Sequence, residues 1–114
     1  MDGPRTGSRR DRRLSLRGSS AVIRIKTHPG EVLADEFMKP LGLSARGLAE
    51  TLGVPGNRIS DIMRGRRDVS ADTAIRLGRY FGTDPRFWLN LQAAHDLSKA
   101  EAENDYSGLP TRAA

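Results

Sequence analysis

The sequence predicts an all-α fold: five helices in about 75 residues, behind an unstructured basic tail. Three observations predict it. Apolar residues recur at three- and four-residue spacing from Val32 onward. Cap and breaker residues punctuate these stretches at helical lengths. Within the stretch 45–65, ARGLAETLGVPGNRISDIMRG, two such segments are separated by only a few residues around Gly53.

Residues 1–20 hold six Arg, two Asp and, as large apolar groups, only Leu14 and Leu16. Too little surface is available there to offset the entropy of ordering, so the segment reads as a disordered tail. Residues 21–26, AVIRIK, allow a short strand, although Val22 and Ile23 break the alternation. Helix one is expected over 29–39, with Val32, Leu33 and Phe37 inward and Pro40 as its stop. Leu41 and Leu43 plug the connection to Ser44, an N-cap for helix two at Ala45. Leu48, Ala49 and Leu52 give helix two its apolar stripe, and Gly53 its end. Pro55 sits where helix three would begin, since a first-turn proline forfeits no helical bond. Ile59, Ile62 and Met63 form its inner face, and Gly65 closes it.

Residues 66–70, RRDVS, then form a turn. Ser70 caps helix four, Asp72 complements its dipole, Ala74, Leu77 and Phe81 line it, and Gly82 ends it. Asp84 and Pro85 read as N-cap and first residue of helix five, with Trp88, Leu91, Gln92 and then Leu97 along it, fading near Glu103. These boundaries define a helical domain over 21–103 and a frayed tail over 104–114.

Two short helices joined tightly around a glycine cross steeply only where the contact is small, and Ala49 supplies that. The result is a helix-turn-helix whose second helix turns Asn57, Arg58, Ser60, Asp61 and Arg64 outward. Each of these can bond a base edge or a phosphate. Asn57, Asp61 and Ser60 are the base-contact candidates: an amide pairs with adenine, and a carboxylate accepts from cytosine. Asp61 has a competing local use as an ion-pair partner of Arg58 or Arg64. Arg58, Arg64, Arg66 and Arg67 suit phosphates, which position a protein without reading sequence. A merely solvated helix face is the alternative for the whole group.

Charge agrees with this placement. The net charge is +5. Residues 1–20 carry +4, residues 21–67 carry eight basic against five acidic groups, and residues 68–114 carry five against seven. The basic excess therefore lies in the tail and the helix-turn-helix half. With no Cys, neither a disulfide framework nor a thiolate metal site is expected. No run approaches the roughly 18 apolar residues of a membrane span, and no apolar stretch follows the basic N-terminus as a secretory signal requires. A cytoplasmic protein is expected. His28 and His95 lie far apart without metal-ligand spacing and read as a turn residue and a helix-surface residue. No nucleophile elbow, phosphate loop or paired-carboxylate arrangement is visible, so no enzyme and no cofactor are expected. Phe87 and Trp88 are either a partner patch or core. A domain this small needs its large aromatics, which favours core for at least one.

The segments THPGEVLADEF and LGLSARGLAETLGVPGNRISDIMRGRRDVSADTAIRLGRYFGTDPRFWLNLQ resemble the HigA-type antitoxins, a branch of the Xre or lambda-repressor-like helix-turn-helix proteins. The likeness spans Thr27 to Leu97. It rests on His28-Pro29-Gly30-Glu31, Ser70-Ala71-Asp72-Thr73-Ala74 and Phe87-Trp88-Leu89-Asn90-Leu91 as well as on the helix-turn-helix. The resemblance implies a dimeric autorepressor that binds operator DNA, an inverted repeat, and neutralises a RelE- or HigB-like mRNA-cleaving toxin. A stand-alone regulator, and an interaction module that no longer binds DNA, remain open beside it. Two departures matter. The family usually has Gln at the first position of helix two, where it contacts the phosphate backbone and braces the recognition helix; this chain has Ala45 there, and Gly56 occupies a position that often offers a side chain to a base. Arg46 is the candidate to recover the phosphate contact.

A toxin that grips RNA is electropositive where it does so, and its antidote suits it with acids. Glu31, Asp35 and Glu36 on helix one, and Glu101 and Glu103 at the end of helix five, are the toxin-binding candidates. Ordinary solvated faces are the alternative. The basic tail matches such a toxin poorly. It reads as a DNA-contacting arm, a toxin-wrapping segment, or an upstream extension without function.

Overall fold

The computed structural model of the chain describes residues 24–112. The expected disordered tail therefore lies outside the described residues, as do positions 21–23 of the expected strand. Arg24, Ile25 and Lys26 carry no regular structure, and no strand occurs among the described residues. Without clean alternation and without a partner strand, an isolated six-residue β segment has nothing to pair with.

The architecture is all-helical. The first rod comprises α1 (Pro29–Val32), a π-helical stretch (Leu33–Met38) and α2 (Lys39–Leu41), followed by α3 (Ala45–Leu52), α4 (Arg58–Met63), α5 (Ala71–Phe81) and α6 (Pro85–Glu103). Counted as rods, these are the five expected helices. The expectation that Pro40 stops the first rod is corrected: the chain stays helical through it to Leu41. The reason is the π stretch, in which the Lys39 N–H donates five residues back to the Ala34 carbonyl. That wider turn changes the bonding register just ahead of a residue that has no N–H and would crowd a regular turn.

Helix α3 begins and ends where its caps dictate. Ser44 Oγ accepts from the Gly47 N–H at 3.0 Å. Gly53 takes φ 73, a left-handed conformation that a glycine adopts without cost. Ser70 caps α5 in the same way through the Thr73 N–H. Asp84 Oδ1 accepts from the Arg86 N–H at 2.9 Å at the start of α6.

Residues Lys26–Leu97 form one compact unit. Its core is Leu33, Met38, Leu48, Ala49, Leu52, Ile59, Ile62, Val69, Ala74, Leu77 and Trp88. Phe37 from the π stretch stacks between Trp88 at 5.0 Å and Phe81 at 5.1 Å. Trp88 is fully buried, and its indole N–H donates to Thr83 Oγ1 at 2.8 Å, so the largest core side chain leaves no polar atom unpaired. Trp88 is thus core, while Phe87 stays more than one-third exposed. Leu97 lies exposed, on the opposite side of α6 from the buried Trp88.

The second unit holds, among described residues, 24–25 and 98–112. Helix α6 ends at Glu103, with the Asn104 N–H bonded to the Ala100 carbonyl, and a turn closes from the Leu109 N–H to the Tyr106 carbonyl. Among the described residues no helix is long and apolar enough to cross a membrane.

Candidate nucleic-acid interface

Helices α3 and α4 form the expected helix-turn-helix, and Ala49 is completely buried in its small contact. One boundary differs from expectation. Pro55 does not start the second helix. It opens a turn closed by the Arg58 N–H on the Pro55 carbonyl at 2.9 Å, and α4 begins at Arg58. The extra turn lies over Gly56 and Asn57, residues with weak helix propensity, so a first-turn proline was available but not used.

The inner face of α4 is Ile59 and Ile62, both with no exposed surface. The outer face shows Asn57 exposed, Arg58, Ser60 and Asp61 half-buried, and Arg64, Arg66 and Arg67 exposed. Asn57 is the N-cap residue, yet its side chain makes no capping bond, which leaves the amide uncommitted. Ser60 Oγ donates to the Asn57 carbonyl at 3.0 Å, so its proton is spent within the helix and its lone pairs remain. No ion pair ties Asp61 to Arg58 or Arg64 among the described residues. The Asp61 carboxylate is therefore not taken up by the local ion pair that competes with a base contact.

Arg46 in the first turn of α3 is exposed, and its guanidinium carbon lies 4.0 Å from where a Cβ on Gly56 would stand. The bare backbone at 56 thus lies beside the Arg46 charge. Ala45 is half-buried and packs on the core.

Helix α4 is only six residues long, so its orientation is set from outside, and here local sequence signals missed the main device. His28 is buried as the N-cap of α1, its Nδ1 accepting from the Gly30 N–H at 2.9 Å. Gly30 lies directly on the Ile62 carbonyl: a Cβ there would overlap that oxygen and stand 2.7 Å from its carbon. The His-Pro-Gly segment therefore seats the recognition helix backbone to backbone, an approach only glycine permits. His95 is not a free surface residue either. Its ring meets His28 edge-to-face at 4.9 Å, and its Nδ1 lies 2.7 Å from the Lys26 carbonyl. Burial, and after it His95, hold the His28 imidazole below its ordinary pKa. A proline at N1 following a histidine acceptor was the sequence signal for this cap. Nothing local signalled the histidine pair.

The acidic candidates lie elsewhere. Glu31, Asp35 and Glu36 are exposed on the first rod, with Asp35 paired to Lys39 at 3.1 Å. Glu101 and Glu103 are exposed at the end of α6. No cluster of three or more metal-ligating side chains occurs among the described residues.

The helix-turn-helix family matches residues 36–88. Virulence-associated protein I of Dichelobacter nodosus is 54% identical over 76 residues, covering 67% of this chain and 70% of that protein. The solved structure of the Pseudomonas aeruginosa antitoxin HigA with the higBA promoter superposes with a TM-score of 0.67 at 49% identity, covering 68% of this chain and 85% of that one. An addiction module antidote protein of the HigA family from Coxiella burnetii superposes with a TM-score of 0.71 at 41% identity, covering 79% and 100%. A short recognition helix seated by a His-Pro-Gly segment, and relatives at these identities, lead to one assignment. The chain belongs to the HigA-type antitoxins, a branch of the Xre or lambda-repressor-like helix-turn-helix family.

Proposed function

We propose that this chain is an autorepressor that binds its own operator as a dimer and neutralises a RelE- or HigB-like mRNA-cleaving toxin. One observation carries the DNA half. The outer face of α4 presents uncommitted Asn57 and Asp61 groups between arginines at 46, 58, 64, 66 and 67, in a chain 49% identical to an antitoxin solved with its promoter. In this reading Asn57 and Asp61, with the lone pairs of Ser60, read base edges. Arg46, Arg58, Arg64, Arg66 and Arg67 grip phosphates and set the register. Two copies on an inverted repeat place their recognition helices about 34–36 Å apart, one turn of DNA or a multiple of it.

The toxin half rests on charge and on family. The exposed acids at 31, 35 and 36, and at 101 and 103, are remote in sequence from the recognition helix and suit a basic partner. The partially neutralised Asp35 contributes least of these. Residues Ala45 and Gly56 support a second reading, in which the helix-turn-helix has lost DNA binding and serves protein contacts alone. Co-expression with the adjacent gene, followed by purification and gel shift on the upstream region, separates the readings. The proposal expects growth rescue, co-purification and a shift. Rescue without a shift selects the second reading, and a shift without rescue selects a stand-alone regulator.

A further inference from the structure

Beyond the recognition helix lies the turn over 64–68, which carries Arg64, Arg66 and Arg67. Its near end is fixed within the helix-turn-helix: the Arg66 and Arg67 N–H groups donate to the Asp61 carbonyl at 2.8 and 3.3 Å. Its far end is fixed by the buried Val69 side chain and by one side chain from another helix. Gln92 of α6, only 6% exposed, accepts the Val69 N–H on Oε1 at 2.8 Å. Its Nε2 donates to Asp68 Oδ1 at 3.1 Å and to Asp96 Oδ1 at 3.0 Å. Both protons and the oxygen of the amide are thus engaged, which fixes its orientation uniquely, because a flipped amide would set its oxygen against two carboxylates. Val69 beside it is 3% exposed and anchors the turn in the core. No other side chain type of that length offers one acceptor and two donors in a single plane.

We propose that Gln92 is a positioning residue for operator binding. It holds the turn that presents Arg66 and Arg67, so that their phosphate contacts depend on a side chain that never touches DNA. This rests on the reading that those two arginines meet phosphates. Fixing the backbone at Asp61 and at Val69 leaves only the arginine side chains to be ordered on binding, which lowers the entropic cost of each contact. Losing the Gln92 bonds frees the backbone ahead of the Val69 anchor, forfeits that preorganisation and leaves Arg66 and Arg67 out of reach of the phosphates they would otherwise meet. The same amide joins the DNA-facing turn to α6 through Val69 and Asp68, while its bond to Asp96 lies within α6 and orients it.

The test uses the full chain and operator fragments at a series of salt concentrations. Gln92→Met keeps the length and removes all three bonds. Gln92→Glu keeps the acceptor for Val69 and sets a carboxylate against Asp68 and Asp96. Each phosphate contact contributes about 0.9 to the slope of log K against log salt. The double variant Arg66→Ala/Arg67→Ala is therefore expected to lower the slope by about two per protomer. Gln92→Met is expected to lower it by a similar amount, and Gln92→Glu by less. Adding the arginine substitutions to Gln92→Met is expected to change affinity by no more than about twofold, against independent effects that would multiply. A purely structural loss reduces the active fraction and leaves the slope unaltered. Should Gln92→Met not fold, Gln92→Glu carries the comparison. A slope that falls in the arginine variant but not in either Gln92 variant overturns the positioning role alone. A slope unchanged in the arginine variant removes the phosphate reading, and the proposal with it.

Discussion

Replacing Gly30 by alanine puts one methyl group where the recognition helix already lies. The added carbon would overlap the Ile62 carbonyl oxygen, with the carbonyl carbon at 2.7 Å and His28 Nδ1 at 3.0 Å. Two of these neighbours are backbone, so no rotamer change relieves the contact. Either α1 or α4 must move. Overpacking of this kind costs about 1–3 kcal/mol, and backbone neighbours place Gly30→Ala toward the upper end. At roughly 4–8 °C per kcal/mol for a domain of this size, the melting temperature is expected to fall by about 10–20 °C. Gly56→Ala is the control, because its Cβ meets only the Arg46 guanidinium carbon at 4.0 Å and its φ is not positive. That change is expected to be neutral or to stabilise by up to ~1 kcal/mol through the unfolded chain. Thermal melts of both variants, with operator titrations well below the lower transition, read stability and helix placement separately. Gly30→Ala is expected to lose operator affinity even where it is fully folded. Melting within a few degrees of wild type, together with unchanged affinity, would refute the claim that the His-Pro-Gly segment seats α4.

Three further outcomes follow from the same geometry. Folding holds the His28 imidazole below its ordinary pKa, chiefly through burial, so the unfolded chain binds the proton more readily. Stability is then full above the ordinary imidazole value of about 6.5 and declines as the pH falls below it. His28→Asn retains a cap acceptor and is expected to flatten that decline in paired melts on either side of that value; an equal decline in both proteins speaks against the histidine. Glu31→Lys with Asp35→Lys, and separately Glu101→Lys with Glu103→Lys, are expected to weaken toxin capture while sparing the operator; protection of cells at wild-type level by both would exclude pairing through these acids. Ser44→Ala removes the side-chain cap of α3 and is expected to cost about 1 kcal/mol in a denaturant titration, and a loss of less than a few tenths would show the cap to be redundant.

The boundaries of α3, α5 and α6 were legible because their ends are local chemistry. Ser44 with Gly53, Ser70 with Gly82, and Asp84 with Pro85 each cap a helix from within a few residues. Pro40 and Pro55 misled for one shared reason. A proline restricts its own turn, but whether that turn ends or begins a helix depends on neighbours: the π stretch ahead of Pro40, and the Gly56-Asn57 pair behind Pro55. The outward residues of α4 were legible from periodicity, since Ile59 and Ile62 fix which face is buried. What held that helix in place was not. The Gly30 contact with Ile62, the His28–His95 pair and the Gln92 bonds to Asp68 and Val69 join positions 23 to 67 residues apart, beyond the reach of any local pattern. His28 and Gln92 looked like a turn residue and one position on a helix face because their partners lie in other elements.

The central claim is that α4 reads an operator, with Asn57 discriminating and the arginines gripping. Its most direct measurement is the ratio of operator to random-sequence affinity, at one fixed salt concentration, for wild type, Asn57→Ala and Arg67→Ala. A lost base contact costs about 1–3 kcal/mol of discrimination, whereas a lost phosphate contact weakens all sequences alike. The expected result is a ratio that falls by about five- to a hundredfold in Asn57→Ala and stays at the wild-type value in Arg67→Ala while both its affinities drop. An Asn57→Ala protein that keeps the full wild-type ratio would contradict the account.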